Sequence, residues 1–192
     1  MTAKIDCQGL TKQYGTLLAV DDLSFKVEPG EVLGFLGPNG AGKTTTMRIV
    51  AGFLAPTAGK VSVCGYDVEA QPIEAKRRIG YLPEGAPSYP EMTPREFLEF
   101  IADARGLARG PRRQRLDEIY AMLHLERVLD QSIETLSKGY RRRVGLAQAI
   151  LHDPDVLLLI RVKPVRRLIE QQHIGVVQNG LREADAAAIA FR

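Results

Sequence analysis

The spacing of apolar residues predicts that the chain begins with β-strands. Leu23, Phe25 and Val27 alternate with polar residues, a period of two that is typical of a half-buried strand. The apolar run at residues 32–36 predicts a buried strand directly afterwards. Another β segment is predicted at residues 61–64, between two glycines. The first part of the chain is therefore expected to contribute mainly sheet.

The apolar spacing changes to a helical period further along the chain. The sequence TPRE at residues 93–96 is a capping box with proline at the first helical position, which predicts a helix start. Apolar residues at helical spacing over residues 116–123 predict a second helix, and a third is expected to begin at Ser137. Residues 156–159 again predict a buried strand. An all-helical lobe, residues 87–131, is thus expected inside an otherwise α/β chain.

Composition and charge limit the possible functions. The 192 residues are 45% hydrophobic and 26% charged, which is typical of one globular domain spanning residues 1–192. The net charge of +3 is too small to indicate a nucleic-acid partner. Cys7 and Cys64 lack metal-ligand spacing and are interpreted as thiols of a reducing compartment. No apolar run approaches the ~20 residues that cross a bilayer, so a cytoplasmic protein is expected.

The sequence GPNGAGKTT at residues 37–45 fits the phosphate-binding P-loop pattern G-x-x-x-x-G-K-[ST]. Glycines let successive N–H groups point inward around a phosphate, and the following helix adds the positive end of its dipole. Lys43 is expected to bridge the β- and γ-phosphates, and the Thr44 hydroxyl to ligate Mg²⁺. A chance match in a glycine-rich turn is the alternative, but the predicted strand before and helix after favour a real site. The residues predicted to bind ATP here are Gly37, Pro38, Asn39, Gly40, Ala41, Gly42, Lys43, Thr44 and Thr45.

A P-loop alone does not distinguish GTPases, kinases and transport ATPases, but a second motif does. The segment LSKGYRRRVGLAQAI, residues 136–150, resembles the signature motif of ABC transporter ATP-binding subunits, usually written LSGGQ. Tyr14 stands about where that family keeps an aromatic that stacks on adenine. Residues 79–84 resemble the Q-loop segment, with Glu84 in place of the usual glutamine. The resemblance extends over roughly residues 5–159, and its signature residues are Leu136, Ser137, Lys138, Gly139 and Tyr140.

The resemblance implies a fold and a mechanism. The fold is α/β, a P-loop NTPase core with an antiparallel β subdomain and an inserted helical lobe. Two copies, or two related subunits, would sandwich Mg²⁺ and ATP, with Ser137 and the Gly139 N–H contacting the γ-phosphate bound by the partner. A permease subunit would hold the protein at the inner face of the cell membrane. Residues 84–93 resemble the exporter-type branch of the family.

Several of these residues also have a simpler interpretation. Tyr14 is alternatively a surface tyrosine beside a turn, and Ser137 a helix cap that touches no ligand. Glu84 is either a sensor near Mg²⁺ and the lobe hinge or an ordinary loop carboxylate. The run Arg141–Arg143 is expected to be a solvated helix face without a specific role.

The chain departs from the family after Leu159. The family's Walker B strand ends in Asp-Glu, where the Asp holds Mg²⁺ through water and the Glu polarises the attacking water. Here these places hold Ile160 and Arg161, which have neither a ligand oxygen nor a base, so no catalytic residue is identified. Asp155 cannot substitute, because it stands at the start of the strand and nucleotides bind beyond its carboxyl end.

The remaining residues, 160–192, form an atypical tail. A D-loop is not found, and His173 precedes an apolar segment instead of following one as the family's switch histidine does. Residues 164–170 nevertheless resemble the helix that follows the D-loop, which suggests deletion or frameshift of a short stretch. Three functions remain open: the ATPase subunit of a transporter, a non-hydrolysing ATP-binding regulatory module, or a truncated product with incomplete folding.

Overall fold

The computed structural model describes residues 3–85, 89–160 and, for the backbone, 187–191. Some predictions concern residues outside these ranges, namely Arg161, His173 and the helix expected at residues 164–170. The elements in chain order are β1 (Ile5–Tyr14), β2 (Leu17–Val27), β3 (Leu33–Phe35), α1 (Lys43–Val50), β4 (Ala58–Val63), β5 (Tyr66–Asp67), α2 (Pro72–Arg77), β6 (Ile79–Leu82), α3 (Pro94–Ala104), α4 (Arg109–Leu123), α5 (Lys138–Ile150), β7 (Val156–Ile160) and β8 (Ala187–Phe191).

The described residues form two four-stranded sheets. The first is antiparallel at each of its pairings, in the order β2-β1-β4-β5. Its β1–β2 hairpin turns at Gly15, whose positive φ of 56° suits glycine because a side chain would be strained there. The second sheet has the order β3-β8-β7-β6. These two sheets agree with the expected antiparallel subdomain and α/β core.

β8 lies between β3 and β7 and runs antiparallel to both. Ile189 is opposite Leu33 on one side and Leu158 on the other. The strand therefore uses both of its edges to pair two segments that are distant in sequence. The apolar pattern did not predict this strand, which lies within the tail that was expected to be atypical.

One hydrophobic core joins the two sheets and α1. Ile5 of β1, Met47 and Val50 of α1, and Val156 and Leu158 of β7 are each fully buried in it. α1 buries one face because its apolar residues recur at helical spacing, as the pattern after the P-loop predicts. The P-loop helix is consequently packed against residues of both sheets.

The chain divides into two compact units, one formed by Met1–Tyr81 with Asp155–Arg192 and the other by Leu82–Pro154. The second unit contains α3, α4 and α5 and two short 3-10 helices, Glu126–Val128 and Ile133–Thr135. The capping box predicted for α3 is present, because Thr93 and Glu96 each accept the other's backbone N–H. The predicted lobe boundaries, residues 87–131, stay a prediction.

Among the helices of the described segments, none is long and apolar enough to span a membrane.

Candidate functional site

The P-loop joins the end of β3 to the start of α1 and is packed against β2. Gly42 adopts a left-handed conformation, with φ +77°, and caps the N-terminus of α1. A Cβ at Gly42 would lie 2.4 Å from the carbonyl oxygen of Ala19 and 3.1 Å from Val20 Cγ2. Glycine is therefore required here for two reasons, backbone conformation and close approach. The structure thus brings the β1–β2 hairpin and the P-loop together.

The first turn of α1 presents its amides without a competing cap. The first helical hydrogen bond runs from Thr46 N to Gly42 O over 2.8 Å, so the amides of Lys43, Thr44 and Thr45 precede the helical ladder. The cap makes no side-chain hydrogen bond, and the first turn contains no acidic residue. An anion at this helix end would meet N–H donors and the positive end of the helix dipole.

The Lys43 side chain folds over the loop that precedes its helix. Its Nζ donates to the carbonyl oxygens of Gly37, at 2.5 Å, and Pro38, at 2.7 Å. This ties the ammonium to the first two residues of the P-loop. Thr44 is exposed and Thr45 half-buried, and the remaining P-loop residues Pro38, Asn39, Gly40 and Ala41 are exposed.

Tyr14 stands at the end of β1, and 45% of its surface is exposed. The ammonium of Lys12 lies over its ring, 5.2 Å from the centroid. Sequence reasoning did not single out Lys12, although its position two residues before Tyr14 on one strand places both side chains on the same face. The contact of Ala19 and Val20 with the P-loop also carried no sequence signal.

The end of β7 offers no carboxylate. Ile160 is the last residue of the strand, is 6% exposed and belongs to the hydrophobic core. Within residues 3–85 and 89–160, no group of three or more His, Cys, Asp or Glu is placed to hold a metal ion. The thiol of Cys7 is buried, which together with the charge of Asp6 raises its pKa to about 11. Thr44, the residue predicted to ligate Mg²⁺, is the second residue of α1.

Asp155 lies before the first residue of β7 and is engaged by two cations. Its carboxylate accepts hydrogen bonds from Lys4 Nζ at 2.8 Å and from Arg78 Nη1 at 3.1 Å. Burial alone would raise the pKa of Asp155, but the hydrogen bonds from Lys4 and Arg78 outweigh it and hold that pKa below its usual value. Asp155 is thus occupied in an ion-pair cluster at the amino end of the strand.

The signature residues and Glu84 belong to the helical unit. Ser137 is the N-cap of α5, and its Oγ accepts a hydrogen bond from Tyr140 N at 3.3 Å. Leu136 is buried, whereas Ser137, Lys138 and Gly139 are exposed. A Cβ at Gly139 would meet only Ser137 Oγ, at 3.7 Å, so the glycine leaves the first turn open. Glu84 is exposed in a bend after β6.

Comparison with known proteins assigns the chain to a family. The ABC transporter family profile, described as "ABC transporter", matches residues 20–159. The chain therefore belongs to the ABC transporter family, and the predicted family is confirmed. This match also confirms the expected relation to ATPase-type enzymes.

Two curated relatives and two solved structures illustrate the similarity. The chain is 42% identical over 157 residues to the Nod factor export ATP-binding protein I of Burkholderia pseudomallei, which covers 82% of this chain and 52% of the relative. It is 40% identical over 141 residues to the ABC transporter ATP-binding protein NatA of Bacillus subtilis, 73% of this chain and 57% of the relative. The chain spans about half the length of the curated relatives it matches.

The structural neighbours confirm the predicted fold class. An ATP-binding subunit of an ABC transporter superposes with a TM-score of 0.71 at 30% identity, covering 80% of this chain and 64% of that one. The cbiO1 protein of Clostridium perfringens, described as part of the ABC transporter complex cbiONQ, superposes with a TM-score of 0.75 at 19% identity, covering 92% of this chain and 77% of that one. At that identity the second likeness concerns the fold alone.

Proposed function

We propose that this chain is the ATP-binding subunit of an ABC transporter and that it binds Mg-ATP in the P-loop of residues 37–45. The observation that carries the proposal is the loop itself, which combines uncapped amides at the start of α1 with the Lys43 ammonium held against the Gly37 and Pro38 carbonyls. This combination of donors and positive charge suits a polyphosphate, because each phosphate oxygen needs a hydrogen-bond donor or a cation.

Magnesium would be held through Thr44 and the nucleotide. The exposed Thr44 hydroxyl is the protein oxygen that is predicted to bind the metal. Phosphate oxygens and water would complete the octahedral shell that Mg²⁺ prefers. Ile160 adds no oxygen at the end of β7. The chain's residues therefore fit a metal that arrives with ATP better than a metal bound on its own.

The adenine would stack on Tyr14, because an exposed aromatic face suits a base of any kind. The hairpin that carries Tyr14 contacts the P-loop through Ala19 and Gly42, which supports a shared site for base and phosphates. The positions Leu136, Ser137, Lys138, Gly139 and Tyr140 would serve a second nucleotide, bound by a homodimeric or related partner subunit. Glu84 would act as the Q-loop-like sensor.

The membrane role would come through a permease partner, so that the chain lies at the cytoplasmic side of the cell membrane. Its relatives are described as ATP-binding proteins, among them the Nod factor export ATP-binding protein I of Burkholderia pseudomallei. Together with residues 84–93, this supports export as the direction of transport.

ATP hydrolysis would require a carboxylate where β7 ends in Ile160. A buried isoleucine at the end of β7 cannot hold a metal-bound water or act as a base. The second candidate function is therefore a non-hydrolysing ATP-binding module that regulates a complete sister subunit. The third candidate is an incompletely folded product.

The decisive experiment measures ATP binding and phosphate release by the purified full chain. Calorimetric titration with Mg-ATP should give binding in the micromolar range or tighter, and Lys43→Met should weaken it by about tenfold or more because a charge-assisted contact to phosphate is lost. Lys60→Met, in an exposed lysine of β4, is the matched control and should bind as the wild type does.

The measured ATP binding and phosphate release distinguish the candidate functions. Binding with phosphate release supports a working ATPase subunit, whereas binding without release supports the non-hydrolysing module. A chain that neither binds ATP nor melts cooperatively would be the incompletely folded product.

A further inference from the structure

Lys12 is held in a defined position at the end of β1. Its Nζ donates to the backbone carbonyl of Ala55 over 2.8 Å, and the same ammonium lies 5.2 Å from the centroid of the Tyr14 ring. A cation over an aromatic face is attracted by the negative charge of that face. Lys12 therefore covers one face of Tyr14 with a charge that is itself tied to the backbone.

The segment that anchors Lys12 is bound to β1 by further hydrogen bonds. Thr57 N donates to Thr11 O at 2.8 Å, and Gln13 N donates to Thr57 Oγ1 at 3.0 Å. The residues on both sides of Lys12 are thus fixed to the chain that follows α1. Movement of Lys12 away from Tyr14 would require these contacts to rearrange or the bond to Ala55 to break.

Lys12 also lies opposite a residue that contacts the P-loop. It is paired with Val20 across the β1–β2 ladder, and Val20 Cγ2 is one of the atoms that a Cβ at Gly42 would meet. The lysine, the aromatic ring and the backing of the P-loop therefore belong to one continuous piece of the first unit.

We propose that Lys12 is a positioning residue for nucleotide binding, which closes one face of Tyr14 and leaves the opposite face to the base. This inference rests on the proposed role of Tyr14 in binding adenine. A ring held on one side presents a single stacking surface, so less conformational freedom is lost when a base binds. Lys12 itself contacts no nucleotide in this arrangement.

The first test compares a nucleotide with a ligand that has phosphates but no base. Mg-ATP and inorganic tripolyphosphate are titrated into the full chain carrying Lys12→Met, Lys12→Arg or Tyr14→Ala. Lys12→Met should weaken ATP binding about two- to fivefold and leave tripolyphosphate binding unchanged, because the lost contact acts on the ring alone. Lys12→Arg should restore ATP binding, since a guanidinium also lies over aromatic faces.

Lys60→Met is the matched control, an exposed lysine on β4 that should change neither affinity. If Lys12→Met does not melt cooperatively, Lys12→Gln takes its place, because glutamine keeps a polar group for the Ala55 carbonyl without the charge.

The second test reads the ring directly. The chain contains no tryptophan, so Tyr14→Trp makes a protein with a single indole at this position. Removing Lys12 in that background should increase quenching by acrylamide, because a second face of the ring becomes accessible. ATP should protect the indole in both backgrounds.

The outcomes separate this inference from the proposal on which it rests. If Tyr14→Ala weakens ATP binding and Lys12→Met does not, Lys12 has no positioning role while the base site stands. An equal loss of ATP and tripolyphosphate binding in Lys12→Met also overturns the inference, because the lysine then acts on the phosphate site. If Tyr14→Ala changes the affinity for neither ATP nor tripolyphosphate, Tyr14 does not bind the base, and the role of Lys12 is overturned with it.

Discussion

At the scale of single residues, Gly42 shows most clearly why the P-loop has its shape. It combines a left-handed backbone with a space that a methyl group cannot enter, since Ala19 O would lie 2.4 Å from it. We expect Gly42→Ala to destabilise the chain by about 2 kcal/mol or more and to weaken ATP binding by about tenfold. Urea unfolding and calorimetric titration measure the two effects.

Gly30 provides the matched control. It has a similar positive φ of 81°, but a Cβ there would meet nothing within 4 Å. Gly30→Ala should therefore cost only the backbone strain, roughly 1 kcal/mol, and leave ATP affinity as it is. Equal effects of the two substitutions on ATP binding would contradict the role given to the close approach at Gly42.

Asp155 should make the stability of the chain depend on pH. The pKa of Asp155 is lowered in the folded state. Its contribution to the free energy of unfolding is therefore complete above the unfolded pKa, near 3.8, and is lost as the pH falls through the folded pKa. Asp155→Asn should therefore be less stable than the wild type at about pH 6, and the difference should shrink below about pH 4.

Urea unfolding across this pH range measures the difference. Asp21→Asn, which changes an exposed carboxylate of β2, is the control and should be as stable as the wild type at about pH 6. A difference for Asp155→Asn that stays constant down to low pH would mean that the carboxylate is not held by Lys4 and Arg78 in its charged form.

At the scale of elements, the start of α3 is specified locally. Both halves of its capping box are made, because Thr93 accepts from Glu96 N and Glu96 accepts from Thr93 N. Thr93→Val keeps the side-chain shape and removes the cap, so it should lower the free energy of unfolding by about 1 kcal/mol. Thermal unfolding followed by far-UV circular dichroism measures this.

Thr16→Val, at an exposed turn position of the β1–β2 hairpin, is the comparison and should stay within about 0.5 kcal/mol of the wild type. If the two threonine variants are equally stable, the capping box contributes nothing beyond helix propensity.

At the scale of the whole molecule, β8 connects β3 to β7. Ile189 is opposite both Leu33 and Leu158, so a proline there removes a backbone donor from the middle of the sheet. We expect Ile189→Pro to destabilise the chain by roughly 2 kcal/mol or more and to promote aggregation, because two strand edges would be left open.

Ile189→Val keeps the backbone N–H and is the control, expected to cost about 1 kcal/mol or less. Chemical unfolding and size-exclusion chromatography read stability and aggregation. Wild-type stability of the proline variant would show that the sheet does not depend on this strand.

Local signals explain how much of the fold was predictable. β2, the P-loop helix and α3 each carry their pattern within a few residues, so period and capping chemistry identify them. β8 was missed because its sequence, AAIAF, has no alternation of apolar and polar residues, and its pairing with two distant partners leaves no local period. Lys12 was missed for a related reason, since its role depends on the position of a neighbouring ring.

The sequence by itself determined the family of this protein, because the P-loop and signature motifs are contiguous and need only their own residue types in order. The resemblance to the family also implies that Ile160 stands at a position where the family has a carboxylate. Only the tertiary structure decided that Gly42 packs against Ala19, that Lys12 covers Tyr14 and that β8 pairs with β3 and β7. These are contacts between segments distant in sequence, and their energies arise from burial, close approach and strand pairing that exist only once the chain is folded.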